Sequence, residues 1–430
     1  MIYFSFILFV VFIFIGVPIA FVLGFVGFTG LGLQINWSMA LAQLKTVGFS
    51  ATSEYTLAVI PLFILMGNFA AASGVSNESY DSARKWFGNI PGSLAISTNI
   101  SAAFFGAISG STMASASLFT KISYPEMLRS SYDKRLALGC ISAAGALACM
   151  IPPSILIVLY GIITGESIGK MLIGAIIPGS LSAVIYALGI YMVSKIYPEV
   201  APLIPYKASW KEKFQSLQGL WPILLLFSLV MGGIYLGWFT PSEAAGVGAF
   251  GAFLIGIFRK RLSWSDIWRS IIEAGVLNSA LLIIIVGGTL YSFLLSVSGI
   301  VDSFTGAISG LALPPMVILL FLLGMYLVLG AMIDPISMMI ITMPMVHPLA
   351  IKLGFDPIWF GVFIAKMCEI AVLTPPLGMN LYAVKLAAGS EVELSDIMKG
   401  TAYFLGLEAI CVALIIIFPQ LVTFLPNLMD

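Results

Sequence analysis

Polar residues act as punctuation in this chain. Between them run long stretches that are apolar on every side, with neither the two-residue alternation of a half-buried strand nor the single apolar stripe of a soluble helix. Such stretches read as membrane helices, because an α-helix needs ~20 apolar residues to cross a bilayer. The first half predicts helices over 2–16, 18–33, 57–73, 135–163 and 171–194. The second half predicts them over 219–236, 243–258, 274–297, 357–387 and 401–425. Two further segments, 93–122 and 315–346, each hold two apolar arms too short to span, joined by a polar tip: "SGST" at 109–112 and "IDPIS" at 333–337. They read as re-entrant hairpins. A membrane barrel is excluded, since its strands alternate over ~10-residue segments.

Two of the apolar runs interrupt themselves. Pro152 and Pro153 fall inside 135–163, and Pro375 and Pro376 inside 357–387. A proline inside a helix removes a backbone donor and clashes with the preceding turn, at ~3 kcal/mol. The expected geometry is a helix ending near Ala148 and a second half-helix beginning at Pro152, where a missing N–H costs little. The two breaks are related by 375 − 152 = 223 positions, and other landmarks share that offset within two residues. Gly106 matches Gly330, Asp133 matches Asp356, Gly165 matches Gly389 and Pro18 matches Pro241, while "ASGV" at 72–75 matches "VSGI" at 297–300. The chain therefore reads as an all-α polytopic membrane protein of two repeats, 1–205 and 206–430, each with a hairpin and a Pro-Pro-broken helix. Five full spans per repeat is an odd number, which makes the repeats inverted in topology.

Composition agrees with this class. The chain is 60% hydrophobic and 9% charged, against ~25% charged in a soluble domain, and its mean hydropathy is +1.06. Twenty basic residues balance twenty acidic ones, so no nucleic-acid partner is implied. The apolar N-terminus lacks a basic lead and a small-residue cleavage site, and reads as a retained span. Arg84, Lys85, Arg129, Lys134 and Arg135 flank the first hairpin; Lys195, Lys207, Lys211 and Lys213 lie between the halves, and Arg259, Lys260, Arg261 and Arg269 follow. With the predicted spans all these groups face one side, the cytoplasm. The first hairpin then enters from the cytoplasm, the second from outside, and both termini are periplasmic. "WKEKFQSL" at 210–217 and "WSDIWRSI" at 264–271 gather aromatic and aliphatic residues on one face and read as helices in the headgroup layer.

Candidate chemistry follows from the breaks. A helix that stops in mid-membrane leaves free carbonyls and a negative end that suit a cation, while a helix N-terminus suits an anion. The hairpin tips add hydroxyls and one carboxylate, Asp334, and hard oxygens of this kind favour a small hard cation. Two cation sites are expected. The first draws on Ser109, Gly110, Ser111, Thr112, Ala148, Cys149 and Pro152, and the second on Gly330, Asp334, Thr374, Pro375 and Gly378. An anionic solute would touch Ser111, Pro153, Ser154, Pro376 and Asn380. Lys366 and Glu369, three apart, read as a pair on one helix face. Glu408 reads as near the headgroups, and Asn68 and Asn278 are further polar residues at membrane depth. Cys140, Cys149, Cys368 and Cys411 show no CxxC spacing and read as buried thiols, and the single histidine, His347, excludes a multi-histidine metal site.

These motifs together resemble the large membrane subunit of tripartite ATP-independent periplasmic (TRAP) transporters. "GVPIAFVLG" at 16–24, "IPLFILMGNF" at 60–69, "GAISGSTMASAS" at 106–117, "MIPPS" at 150–154, "GAMIDP" at 330–335 and "TPPLGMNLY" at 374–382 carry the resemblance over nearly the whole chain. It implies an importer of the bacterial inner membrane, driven by Na+ with no organic cofactor, moving as an elevator. The mobile transport domain would comprise about 93–194 and 315–425, and the scaffold about 1–73 and 207–297. It also implies a small four-helix membrane subunit, expected as a separate chain since no extra helices precede "MIYFSF", and a periplasmic binding protein that delivers an organic acid. Sialic acid is favoured over a C4-dicarboxylate, because no arginine stands at a tip or break to pair a second carboxylate. The tips "SGST" and "IDPIS" depart from the Asn-Thr pairs of distantly similar carriers. Two rival readings are weaker. An intramembrane serine hydrolase using Ser109 and His347 places its nucleophile and base on opposite sides, without GxSG, HExxH or GxGD. A channel or non-transporting assembly subunit leaves the broken helices without a purpose.

Overall fold

The structure, a computed structural model, describes residues 2–204, 208–311 and 313–429. Among the described residues every regular element is helical. Lys207 and the boundary between the halves near 205 lie outside them. The chain opens with α1 (Ile2–Ile15), α2 (Ile19–Gln34), α3 (Trp37–Ser53), α4 (Val59–Ala72) and α5 (Val75–Phe87). The first hairpin follows as α6 (Ser93–Ser109) and α7 (Thr112–Arg129), and the first broken helix as α8 (Lys134–Ala146) and α9 (Ile155–Thr164). After α10 (Ile168–Gly174) and α11 (Ile176–Ile196) come α12 (Trp210–Leu217), α13 (Trp221–Tyr235), α14 (Pro241–Phe258), α15 (Trp264–Val297) and α16 (Ile300–Gly310). The second hairpin is α17 (Pro315–Gly330) with α18 (Pro335–Lys352), and the second broken helix α19 (Pro357–Ala371) with α20 (Met379–Ala388). The chain closes with α21 (Leu394–Ile417) and α22 (Gln420–Thr423). Among the described residues six helical segments are long and apolar enough to cross a membrane, or seven if α12 and α13, bent by 46°, form one span.

Several of the landmarks spaced alike along the sequence stand at helix boundaries. Asp133 and Asp356 cap α8 and α19, accepting from the backbone N–H of Leu136 at 2.9 Å and of Trp359 at 2.8 Å. Such caps satisfy donors that a helix start leaves free. Gly165 and Gly389 stand at the ends of α9 and α20, and Pro18 and Pro241 at the starts of α2 and α14.

The helices pack in two sets. In one, α15 lies along α2, α3 and α4, and α14 along α4 and α13. Small residues make these crossings close, as membrane helices require where no water drives them together: a Cβ on Gly27 would lie 2.8 Å from the backbone of Leu290. In the other set α8 is gripped by α6, α7 and α21. There a Cβ on Gly400 would sit 1.9 Å from the carbonyl oxygen of Arg135, so the two backbones touch.

The elements differ from the sequence reading in two places, while the helix expected at 210–217 is present. The helices α3, α5 and α16 are not among the predicted spans. Their mixed faces, such as "VSNESYDSARKWF" in α5, give no apolar run, and α5 instead buries one side, Tyr80 and Ala83 included. The interfacial segment 264–271 and the span 274–297 are one continuous 34-residue helix, α15, because the polar Glu273 between them does not interrupt the backbone. The segment 210–217 is a separate helix, α12, with a Ser209–Glu212 capping box and no buried residue.

Candidate functional site

The first break spans 147–154. The α-helix ends at Ala146, one 3-10 turn runs through Leu147–Cys149, and α9 starts only at Ile155, not at Pro152. A residue preceding proline is driven out of the helical region, so Ile151 and Pro152 cannot open a helix. Ser154 does so instead. Its Oγ accepts from the N–H of Ile157 at 3.5 Å and donates to the Cys149 carbonyl. Ser154, expected to touch a solute, is thus fully buried and committed to closing the break.

The second break spans 372–378. Its turn is held by bonds from Gly378 N–H to Thr374 O at 3.0 Å and from Asn380 N–H to Val372 O at 3.2 Å. A Cβ on Gly378 would meet the Val372 carbonyl oxygen at 2.8 Å, so only glycine lets the turn close this tightly. The Thr374 hydroxyl donates to Ile370 O at 2.8 Å, and the exposed Pro376 carbonyl accepts from the Tyr382 hydroxyl at 3.1 Å. Both Pro-Pro bonds, 152–153 and 375–376, are cis.

Each hairpin meets the break of its own repeat. At the first tip only Gly110 and Ser111 separate the two arms. Gly110 adopts φ +58°, and a Cβ there would lie 2.8 Å from the Pro153 carbonyl oxygen. Just behind, Gly106 packs on Ala148, and at the matching place in the second repeat Gly330 packs on Ala371. The second tip is capped by Asp334, whose Oδ1 accepts from Ser337 N–H at 3.0 Å. The second half-helices trade partners: α9 packs on α18, and α20 packs on α7. Asn380 bridges this exchange, donating from Nδ2 to the Ser142 carbonyl on α8 at 3.1 Å.

Both tips and both breaks open on one cavity of about 590 Å³. Ser109, Gly110, Ser111, Thr112 and Cys149 line it from the first repeat, and Pro335, Ile336, Val372 and Met379 from the second. The opposite wall is α4 and α15. There Gly67 lies so close to the tip that a Cβ would stand 2.6 Å from Ser109 Cα. Among the residues expected to hold ions or solute, Ala148, Pro152, Pro153, Ser154, Gly330, Asp334, Thr374, Pro375, Pro376, Gly378 and Asn380 are not part of this lining.

Beside the first break lies a buried ionic cluster. Lys366 Nζ is 2.7 Å from Glu369 Oε2, pairs also with Glu408, and donates to Ser182 Oγ at 2.6 Å. Tyr186 donates to Glu408. Lys366, Glu369 and Glu408 are all fully buried. The pairing of Lys366 with Glu369 is therefore as expected, but Glu408, read from sequence as near the headgroups, is fully buried against Lys366 and Tyr186. It faces α19 and α11 from α21, a contact that needs the fold to be seen. Two other residues lay outside the sequence reading of the site. Gly67 gave no local signal, and Glu273, which falls between the predicted segments 264–271 and 274–297, stands within α15 and lines the cavity.

The donor chemistry suits an alkali cation. Buried oxygens with no hydrogen-bond partner include Asn380 Oδ1, Ser142 Oγ and Ser337 Oγ, the last beside the Asp334 cap.

The family model described as "Tripartite ATP-independent periplasmic transporter, DctM component" matches residues 6–421. The chain is similar to the C4-dicarboxylate TRAP transporter large permease protein DctM of Pseudomonas aeruginosa, at 32% identity over 88% of each chain. It is equally similar, at 32% identity over 94% of this chain and 92% of the other, to the ectoine TRAP transporter large permease protein TeaC of Halomonas elongata. The sialic acid TRAP transporter large permease protein SiaM of Vibrio cholerae is 28% identical over 97% of this chain and 96% of its own. Among solved structures, the YdaH transporter of Alcanivorax borkumensis shares the fold, with a TM-score of 0.63 over 97% of this chain and 99% of the other at 15% identity.

Proposed function

The chain belongs to the DctM-component family of TRAP transporters, which makes it a multi-pass membrane permease and not an enzyme, and from that premise we propose sodium-coupled import of an organic acid by an elevator movement. The observation that carries the proposal is the convergence of both hairpin tips and both breaks on one cavity. In this reading the hairpins and broken helices, with α10, α11 and α21, travel as one body along α1–α4 and α13–α15. The two repeats are inverted, the termini are periplasmic, and each break with its own tip holds one sodium ion. Ser109, Ser111, Thr112 and the break-1 carbonyls serve the first ion, and Asp334, Thr374 and the break-2 carbonyls the second. The solute's carboxylate rests against the positive start of α7. A separate four-helix membrane subunit braces the scaffold, and a periplasmic binding protein delivers the solute.

The relatives are named for C4-dicarboxylates, ectoine and sialic acid, so kinship leaves the solute open. Sialic acid is the solute proposed, with a C4-dicarboxylate next, because no lysine or arginine is among the described residues that line the cavity. Coupling energy is adequate. Two sodium ions moving with one monoanion carry one net charge, worth ~2.3 kcal/mol per 100 mV, or somewhat under two decades of accumulation at ~1.4 kcal/mol per decade.

The test is uptake into liposomes holding both membrane subunits, with the binding protein outside. Uptake is expected only with an inward sodium gradient. Asp334→Asn keeps a residue that caps well while removing the carboxylate charge. It should raise the sodium concentration for half-maximal uptake about ten-fold, the size of one lost charged ligand interaction. Ser111→Ala should do the same for the first ion. Wild-type sodium dependence in both variants would refute the ion assignments, and sodium-independent uptake the coupling itself.

A further inference from the structure

Glu273 is the single formally charged side chain among the described residues that line the cavity. It stands exposed on α15, flanked on the cavity wall by the exposed Ile272, Val276 and Leu277. Its Oε2 accepts from Asn68 Nδ2 on α4 at 3.3 Å, and the same amide reaches Ser270 O at 3.5 Å. An ionisable group on a spanning helix that faces a cavity marks a functional position by default. The facing wall carries the start of α7 at Ser111–Thr112, with hydroxyls and no formal charge, and the start of α18 at Pro335–Ile336, which the Asp334 carboxylate caps from just outside the lining. The α7 start therefore favours an anionic group, and the Glu273 side of the cavity a cation or a hydrogen-bond donor.

We infer that Glu273 fixes the charge of the solute, admitting a single carboxylate whose far end bears a cation or hydroxyl and amide donors, and turning dianions away. This rests on the transport reading above and narrows it to monoanions and zwitterions. The size of the effect follows from Coulomb's law. A 590 Å³ cavity is roughly 10 Å across, and at an effective dielectric of ~20 a second carboxylate opposite Glu273 binds about ten-fold more weakly than a neutral group there. The competing account is that the Glu273–Asn68 bond only ties α15 to α4. Glu273→Gln keeps the size and the hydrogen bond and removes the charge, so it separates the two.

Binding is measured on the detergent-purified complex of both membrane subunits in sodium buffer, with three probes: sialic acid as a donor-rich monoanion, ectoine as a zwitterion and succinate as a dianion. The wild type is expected to bind sialic acid and ectoine at least ten-fold more tightly than succinate. Glu273→Gln should gain about ten-fold for succinate and lose about ten-fold for ectoine. Asn68→Ala, which cuts the tie but leaves the charge, should still reject succinate. An unchanged order of affinities in Glu273→Gln, a wild type that prefers succinate, or one that binds none of the three overturns the inference. Sodium-driven uptake of the solute brought by the binding protein is assayed on the same preparation. If that uptake fails, the transport reading falls; if it persists while the affinities contradict, only the role of Glu273 does.

Discussion

Lys366→Met costs about 3–5 kcal/mol and lowers the melting temperature of the purified complex well below that of the wild type. One ammonium serves two carboxylates in this cluster, Glu369 and Glu408, and all three groups are shut off from solvent. Methionine fills the space but leaves two like charges facing each other in a dry interior. Removing one partner of a buried pair is costly for this reason, whereas replacing the whole set by neutral groups is often tolerated. The triple variant Lys366→Met, Glu369→Gln, Glu408→Gln should thus regain most of the loss. Thermal unfolding of the purified complex, followed by the amount remaining monodisperse after heating, reads both. A single variant that melts with the wild type, or a triple variant no better than the single, contradicts this account of the cluster.

Gly110→Val abolishes sodium-driven uptake while the complex still assembles. Gly110 sits at φ +58°, where a side chain costs ~1–2 kcal/mol, and its missing Cβ faces the Pro153 carbonyl at 2.8 Å. A β-branched residue relieves that contact only by moving the tip away from the break. If ion binding needs the tip closed, 2 kcal/mol of strain lowers sodium affinity on the order of 30-fold, and additional crowding lowers it further. Gly165→Asn supplies the control. Gly165 has φ +76° but nothing within 4 Å of a Cβ, so it incurs only the backbone cost and should keep uptake near wild type. Normal uptake in Gly110→Val would show that the first tip need not close on its break.

The features most legible in the sequence were those made by backbone chemistry. Prolines and glycines mark breaks and tips because they limit the conformations available locally, whatever the surroundings. Pro152, Pro375, Gly110 and Gly165 could therefore be placed without a fold. Asp133 and Asp356 belong with them, since a cap acts within one turn. Contacts between distant elements were not legible. Glu408 meets Lys366 across forty-two positions of chain, and no local rule couples α21 to α19. Glu273 was missed because a charge in an apolar run looks like the edge of a span, and only the continuous α15 shows that it lies within a helix lining the cavity. The start of α9 was misplaced by three residues for a similar reason. Pro152 looked like a permitted first helical residue, but the proline after it forbids that, and Ser154 takes over as the cap.

The exchange of second half-helices has a consequence for how this molecule came to work at all. Because α9 leans on α18 and α20 on α7, a fragment ending near residue 200 lacks the surface that should support its own half-helix beyond the break, and the remainder lacks the reciprocal one. Neither fragment is a smaller carrier awaiting a second copy of the same job. Each is a clasp with one jaw, and an ancestor of that length would have had to borrow the other jaw from a sister molecule.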